Sequence, residues 1–570
     1  MAKRVIIVGA VALGPKVAAR VMRLDPTAEV KLLDKDYIIS YGGCGIPYYI
    51  GGDVADLEGL RSTSAHVLRD SQFFKNAKCV DVVHAEALAI DRRAKTLKIR
   101  HQPDGKEENL PYDKLVLATG ATPVRPPLPG VDLPGVSLVA NLHHAKLIKD
   151  MIAKGQVESA VVIGGGAIGL EMAEALTDLW GVETTLVEMM DQLLPPAFGP
   201  DMALLVKNHM TEKGVRVLLS ERVTGILGDA QNGVQAVETG NGQIPCQLVI
   251  LAVGVRPNST LAREAGLTVG RFGGIRVDEG LRTSDPDIYA GGDCVEILHK
   301  VSGETVHMPL GSLANRQGRV IGTNITGGWG RISGTVGTFC LKVFDFGIAR
   351  AGLTERQAAA AGFDPVHAVV VQSDRAHFYP SQELMYVKLI ADRKTRRVLG
   401  IEAVGKAGDA VKGRVDAVAA LLHHDVCLEE ISNLEVAYAP PFASAMDIVN
   451  NAANALENIM EGRQEPIDVA EFLEDFKDGK IRVLDVRSVV QSSPFMEKYG
   501  SQWLNIPQEE LICRLDEVPK GEKLCLICGS GPRSYEAQLL LRSKGVKETR
   551  NIQGGVGMVK LSDPDFAPSE

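Results

Sequence analysis

The sequence holds no run of roughly 18 or more uninterrupted apolar residues, so no membrane-spanning helix is expected. Positive charge is not in excess: the formal net charge is −9 and the isoelectric point about 5.8. A chain that grips a nucleic-acid backbone is more often basic, so nucleic acid is not an expected partner. No paired cysteine spacing suggests a structural zinc. The nine cysteines lie scattered at 44, 79, 246, 294, 340, 427, 513, 525 and 528, which argues against both a structural zinc and a disulfide scaffold. The expectation is a cytoplasmic protein with a few reactive thiols and no metal, most cysteines being small core residues. The opening MAKRVIIVGA carries an apolar run of only about seven residues, short for a signal peptide, and reads as a buried first strand.

With 45% hydrophobic and 23% charged residues over 570 positions, the chain has the profile of a soluble globular protein of three or four domains. Its first 300 or so residues alternate Val/Ile/Leu runs with amphipathic stretches, the mark of βαβ units and parallel sheets. One theme occurs twice: RVIIVGAVALG at 4–14 and SAVVIGGGAIG at 159–169. Each is an apolar strand running into a glycine turn and a helix, then a second strand tipped by an acid, Asp34 or Glu188. From about 331, segments such as GTFCLKVF and MYVKLIAD alternate like antiparallel strands, and helices are expected at 410–424 and 444–460. The polar EGRQEPID, 461–468, with Pro466, reads as a linker into a last small α/β unit.

The second copy of the theme has the full context of a dinucleotide site. Gly164 makes the tight turn, Gly166 lets the backbone approach a pyrophosphate, and Gly169 permits close helix–strand packing. The helix N-terminus then offers unpaired N–H groups to phosphate. Glu188 can accept both ribose hydroxyls and would repel a 2′-phosphate, which favours NADH over NADPH. The first copy, Gly9-Ala10-Val11-Ala12-Leu13-Gly14, is irregular, with Val11 in place of the middle glycine. It is supported by Leu117-Ala118-Thr119-Gly120, by Ile288-Tyr289-Ala290-Gly291-Gly292-Asp293, and by LAVG at 251–254 before Arg256-Pro257.

These ordered motifs resemble the FAD-dependent pyridine nucleotide–disulfide oxidoreductase family over about 1–460. The resemblance implies an α/β fold with two Rossmann-like domains. FAD would lie on the first motif (Gly9, Gly14, Asp34 and Lys35, Thr119 and Gly120, with Asp293 at the ribityl chain), and NAD on the second (Gly164, Gly166, Gly169, Glu188). The implied domains are FAD-binding at 1–119 and 246–330, NAD-binding inserted at 120–245, an α+β dimerisation domain at 331–460 and hence a homodimer, and a linker at 461–466.

Six residues after Asp34 begins Ser40-Tyr41-Gly42-Gly43-Cys44-Gly45-Ile46-Pro47-Tyr48. Family members of the glutathione reductase type have a second redox cysteine five positions on; Tyr49 stands there. They also carry a C-terminal His-Pro…Glu pair, where this chain has Tyr438-Ala439-Pro440-Pro441. A single-cysteine enzyme is therefore expected, its second sulfur coming from a substrate thiol or its partner being oxygen. A thiolate is the attacking form, and burial alone would disfavour it, so positive electrostatics, such as a helix N-terminus, must offset burial. Within the family the chain looks most like coenzyme A-disulfide reductases and rhodanese-fused, NADH-dependent persulfide reductases. That resemblance implies CoA phosphates on Lys16, Arg20 and Arg23, which share a helix face, with Lys78 beside them and Ser40 at the sulfur end. It implies that Tyr379 and Tyr438 reach toward the thiol, as hydrogen-bond or proton donors to the leaving sulfur. Two positions depart from the pattern: Gly43 replaces an asparagine, and Met446 a lysine that can contact CoA.

Residues 467–570 resemble a rhodanese-like α/β domain through Val483-Leu484-Asp485-Val486-Arg487, Asn505-Ile506-Pro507 and Cys528-Gly529-Ser530-Gly531-Pro532-Arg533. A strand delivers Cys528 to a short loop whose N–H groups, with Arg533, would converge on its sulfur and hold a persulfide. The combined expectation is an NADH-dependent flavoprotein that reduces CoA persulfide, polysulfide or CoA disulfide through Cys44, with Cys528 as sulfane-sulfur carrier. The alternatives are an NADH oxidase or peroxidase cycling Cys44 through a sulfenic acid, and a low-turnover sulfur-binding or redox-sensing module.

Overall fold

The computed structural model describes residues 2–568, and these divide into two compact units, 2–190 with 214–335 and 191–213 with 336–568. The first unit contains two parallel sheets. Seven strands lie in the order Ile288–Ala290, Lys114–Leu117, Arg4–Val8, Glu29–Asp34, Asp81–Asp91, Thr96–His101, Glu107–Pro111. Pairing is parallel as far as Asp81–Asp91, which then turns into an antiparallel extension. The second sheet orders Arg216–Leu218, Glu183–Val187, Ser159–Ile163, Leu248–Leu251 and Val136–Leu138, all parallel. Its strands fall in sequence between Leu117 and Ile288, so the chain leaves the first sheet, builds the second and returns. An antiparallel pair, Ala121–Pro123 with Val255–Pro257, marks the outward and return crossings. The central strands are continuous apolar runs because both faces are covered, by helices on one side and antiparallel strands on the other, and Val5, Ile7, Val161, Val162 and Ile250 are fully buried.

The second unit is built on an antiparallel sheet ordered Phe339–Val343, Phe346–Gly352, Val398–Gly405, Leu384–Asp392, Pro365–Ser373. The helices Gly408–Leu422 and Ile448–Met460 pack on it, close to the expected 410–424 and 444–460. MYVKLIAD forms an antiparallel strand, as its alternation suggests, but the strand has no wet face: from Met385 to Asp392 every residue is buried. A second set of elements covers the other face: the helices Pro200–Glu212, Glu355–Ala360 and Gly555–Ser562. Lys388 is therefore buried at 2% exposure. It lies opposite Glu402 in register and bonds Asp201 at 2.9 Å and Glu355 at 2.7 Å. These carboxylates outweigh burial and hold the ammonium firmly charged.

The segment Asp191–Lys213, inside the 120–245 range expected for NAD binding, belongs to this second unit. The Asn208 amide there donates to the carbonyls of Leu561 and Ser562. The last hundred residues form a five-stranded parallel sheet, Pro466–Ile467, Thr549–Ile552, Leu524–Ile527, Arg482–Asp485, Trp503–Asn505. The polar stretch before it is held rather than loose. The N–H groups of Arg463 and Gln464 donate to the Asn458 carbonyl, and Arg542 donates to the carbonyls of Gly462 and Arg463. Among the described residues, no helix is long and apolar enough to cross a membrane, and no cluster of His, Cys, Asp or Glu could hold a metal ion.

Candidate functional site

The two glycine turns share one local device. In the first, the Gly9 N–H donates to the Leu33 carbonyl and the Ala10 N–H to the Asp34 carboxylate, both at 2.8 Å. In the second, the Gly164 N–H donates to the Val187 carbonyl at 2.8 Å and the Gly165 N–H to Glu188 at 2.6 Å. The acid at the tip of the second strand thus pins the turn of the first. Gly9 and Gly164 take φ of +108° and +111°, a backbone region that side chains avoid. A Cβ on Gly14 or Gly169 would collide with the carbonyl oxygen of Gly9 or Gly164. Gly166 differs, because a Cβ there would meet no protein atom within 4 Å. That open floor before the helix Ala167–Thr177 is what close approach of a pyrophosphate requires.

The irregular first turn has a packing reason. Leu13 is buried, and a Cβ on Gly291 would lie 2.5 Å from its side chain. Bulk at Leu13 is thus matched by the glycines before Asp293, whereas the corresponding Ile168 is exposed. Asp293 follows in a short turn, its carboxyl pushed up by burial and its carbonyl accepting from His307. Thr119 and Asn258 exchange bonds, Thr119 Oγ1 to the Asn258 carbonyl and Asn258 Nδ2 to the Thr119 carbonyl. These bonds fix the Thr119-Gly120 crossing. Lys35 is exposed. Both Asp34 carboxylate oxygens are engaged by the N–H groups of Ala10 and Asp36.

Cys44 lies in the short turn Gly43–Gly45 that runs into the helix Ile46–Gly51. It is reached from Asp34 through Ser40, which is buried, sits at φ +52° and donates its N–H to the Ala10 carbonyl. The thiol is accessible to solvent. A Cβ at Gly311, first residue of the helix Gly311–Ile325, would stand 3.5 Å from its sulfur. Burial, then the Glu171 and Asp293 carboxylates, raise the Cys44 pKa, and only its own backbone N–H opposes them. Tyr49, in place of a second cysteine, is buried, and all nine cysteines are free thiols. Core thiols are distinguishable: burial pushes Cys246 and Cys525 up to about 12.

Glu171 was not singled out by sequence. It sits two residues after Gly169 on the helix Ala167–Thr177, and an acid in the second turn of a nucleotide-binding helix is the signal that could have found it. Burial and then Glu174 raise its carboxyl to about 7, against a hydrogen bond with Tyr48.

The basic residues expected at the CoA phosphates are placed unevenly. Lys16 and Arg20 lay their stems along Gly318 and Gly322 of the helix Gly311–Ile325, and Arg20 donates to Thr323 Oγ1. Arg23 turns back to the Ala19 carbonyl. Lys78 is exposed over the Phe73 ring. In the second unit, Tyr379 and the exposed Tyr438 lie on adjoining loops, joined by the bond from the Ala376 N–H to the Pro440 carbonyl. Arg414 ties both loops to Asp447 and to the carbonyls of Asp374 and Phe442. Met446 is exposed beside them.

Cys528 ends the strand Leu524–Ile527 and is 1% exposed. Its sulfur accepts from the Gly531 N–H at 3.1 Å and the Ser534 hydroxyl at 3.3 Å. The Arg533 guanidinium lies beside Gly529 of the same loop. Gly555 packs so closely that a Cβ would stand 2.5 Å from the Cys528 carbonyl oxygen. The Val556 and Gly557 N–H groups donate to the carbonyls of Cys528 and Gly529.

Two nucleotide turns of one design, an accessible cysteine between them in sequence and an antiparallel domain after them define a flavin- and nicotinamide-dependent reductase. The family model described as pyridine nucleotide-disulphide oxidoreductase matches residues 3–318, and that of its dimerisation domain matches 338–449. The chain belongs to this family, whose members use FAD and NAD(P)H. A NAD-dependent persulfide reductase from A. fulgidus is 40% identical with a TM-score of 0.92, over 97% of this chain and 99% of that one. The NAD(P)H coenzyme A polysulfide/persulfide reductase of Pyrococcus horikoshii is 34% identical over 448 residues, 78% of this chain and 97% of that protein. An NADH oxidase of Methanocaldococcus jannaschii is also 34% identical, over 79% of this chain and 98% of that protein.

Proposed function

We propose that the protein is an NADH-dependent reductase of sulfur–sulfur bonds, acting on a CoA persulfide, polysulfide or CoA disulfide, with the C-terminal rhodanese-like domain as its sulfane-sulfur carrier. The observation that carries this reading is Cys44: an accessible thiol near Asp293 and the start of the helix Gly311–Ile325, with no partner cysteine. Such a thiol needs an external sulfur to complete a redox pair. Bound FAD and NADH would supply the two electrons that return Cys44 to its thiol form after each turnover. FAD would rest on Gly9, Gly14, Asp34, Lys35, Thr119, Gly120 and Asp293, and NAD on Gly164, Gly166, Gly169 and Glu188.

The chain's own residues would do the rest. The Cys44 thiolate attacks the inner sulfur of a persulfide, forms a mixed disulfide with the thiol carrier and expels hydrosulfide. Tyr379 and Tyr438, from the second copy of a homodimer, would hydrogen-bond the leaving sulfur. Lys16, Arg20, Arg23 and Lys78 would neutralise CoA phosphates, with Ser40 at the thiol end. Cys528, cradled by the Gly531 N–H and Ser534 and flanked by Arg533, would receive sulfane sulfur and present it to the reductase. Support comes from the reductases of matching architecture.

The test is anaerobic NADH oxidation with CoA persulfide and CoA disulfide at equal concentration. Fast turnover with sulfide release, abolished in Cys44→Ser, is the expected result; failure with both substrates overturns the reading. The resemblance to a NADH oxidase favours one second reading, oxygen reduction through a Cys44 sulfenic acid. It predicts oxygen uptake as fast as sulfur turnover.

A further inference from the structure

In the second unit, a chain of polar groups joins the edge of the antiparallel sheet to the C-terminal domain. His367 lies on the edge strand Pro365–Ser373 and is clasped from both sides. Its Nδ1 meets Glu355 at 2.6 Å, and its Nε2 meets Asp468, the residue just before the first helix of the C-terminal domain, at 3.0 Å. Gln553 completes the clasp. Its amide nitrogen donates to Asp468 at 2.8 Å and lies 3.1 Å from His367 Nε2, while its amide oxygen accepts the edge-strand N–H of Val369 at 2.8 Å. The clasp borders a groove of about 480 Å³ lined also by Arg393, Glu465 and Arg550.

Gln553 leads directly into Gly554–Gly557, the segment that holds the Cys528 loop. A Cβ on Gly554 would lie 3.1 Å from Val371 of the edge strand, and one on Gly555 2.5 Å from the Cys528 carbonyl oxygen. The Val556 and Gly557 N–H groups bond the Cys528 and Gly529 carbonyls at 2.8 and 3.0 Å. The clasp and the Cys528 loop are therefore the two ends of one five-residue turn.

We propose that Glu355, His367, Asp468 and Gln553 form a proton-operated latch that docks the C-terminal domain on the edge of the antiparallel sheet and, through the turn 553–557, steadies the loop carrying Cys528.

The chemistry follows from the number of ring protons. An imidazolium has two N–H donors and can serve both carboxylates; a neutral imidazole has one. If Nδ1–H stays with Glu355, Nε2 presents a lone pair to the Asp468 oxygen, and only Gln553 can still donate to it. The charged groups facing His367 are Glu355 on the helix Glu355–Ala360, Lys388 on the neighbouring strand and Asp468. Arg550, paired with Glu471, and Arg393 and Glu465 lie around the groove. Burial and Lys388 disfavour the imidazolium, but the bonds to Asp468 and Glu355 outweigh them and its pKa stands at about 9. A raised histidine pKa means the latch is fully closed below the ordinary value near 6.5 and is lost as pH rises through about 9.

The test is trypsin cleavage after Arg463 in the full-length flavoprotein. The backbone there is hydrogen-bonded to Asn458 and Arg542, so cleavage requires local opening. Rates are divided by those for a free peptide of residues 458–469 at each pH. In the wild type the normalised rate should rise at least about tenfold between pH 7 and 9.5. His367→Gln should be fast and flat across that range, with circular dichroism unchanged. Asp468→Asn, which keeps the shape and removes one carboxylate, should move the midpoint to lower pH. A flat wild-type profile, a His367→Gln profile that still rises with pH, or an unmoved midpoint in Asp468→Asn would each overturn the proposal.

Discussion

Two glycines three positions apart offer a test in which the same methyl group should do opposite things. In Gly169→Ala the new Cβ would fall far inside the 3.4–4 Å of ordinary contact with the Gly164 carbonyl oxygen. The helix start must then draw away from the turn. That movement strains the bonds from the Gly164 N–H to Val187 and the Gly165 N–H to the Glu188 carboxylate. One neutral bond and one charge-assisted bond together contribute about 2–4 kcal/mol, so the unfolding temperature should drop on the order of 5–15 °C. In Gly166→Ala the methyl meets no protein atom within 4 Å, and the backbone there, at φ −81° and ψ −177°, is open to any residue. Lower entropy of the unfolded chain favours alanine by about 0.4–1 kcal/mol, and the weaker helix cap costs a similar amount. Stability should stay within about 0.5 kcal/mol. The methyl nevertheless occupies the surface a pyrophosphate must touch, so the KM for NADH should rise at least about tenfold, roughly 1.4 kcal/mol. Thermal unfolding followed by flavin fluorescence and NADH titration of the two variants decide the matter. A Gly166→Ala protein with wild-type KM, or a Gly169→Ala protein with wild-type melting, would refute the reasoning.

Glu188→Ala should lose preference for NADH over NADPH at least about tenfold in the ratio of kcat/KM, since each 1.4 kcal/mol of lost discrimination is a factor of ten; an unchanged ratio would remove the carboxylate from nucleotide selection. Glu171→Gln should let Cys44 ionise at lower pH, because the carboxylate raises the thiol pKa, and the pH profile of Cys44 alkylation in a Cys528→Ser background would read it. An unshifted profile would sink the claim. Lys388→Met should cost about 3–5 kcal/mol in urea unfolding, because it strands Asp201, Glu355 and Glu402 beside an apolar side chain. A loss below about 1 kcal/mol, the scale of an exposed ion pair, would mean those carboxylates relax into solvent.

The features readable from sequence were those in which a local rule and the global fold coincide. An apolar strand, a glycine turn and an acid-tipped second strand form one local unit: the Gly9 and Gly164 N–H groups donate to the Leu33 and Val187 carbonyls, and the Asp34 and Glu188 carboxylates accept from the N–H groups of Ala10 and Gly165. The helices at the end of the dimerisation domain were legible from their periodicity for the same reason. Lys388 was not. A lysine in an alternating strand reads as its wet face, and only the return of remote segments, Pro200–Glu212 and the C-terminal domain, buries it. Asp191–Lys213 falls in the second compact unit through contacts with residues hundreds of positions away, such as Asn208 with Leu561, which local sequence does not show.

Glu171 and His367 escaped notice for a related reason. Each is an ordinary polar residue in its own segment and becomes chemically distinct only through partners that local sequence does not supply: Tyr48 for Glu171, Asp468 and Gln553 for His367. Cys44 stands between these cases. Its position in a glycine-rich turn could be read directly. Its electrostatics could not, because the expected positive offset is outweighed by burial and by two carboxylates, Glu171 and Asp293, brought from other strands and helices. Burial, Glu171 and Asp293 thus all raise the pKa of the thiol that sequence selects for attack. The Glu171 contribution is one that sequence did not suggest, and it comes from a carboxyl itself raised to about 7 by burial and Glu174. The local motif sets where the sulfur is, and the tertiary fold sets when it can react.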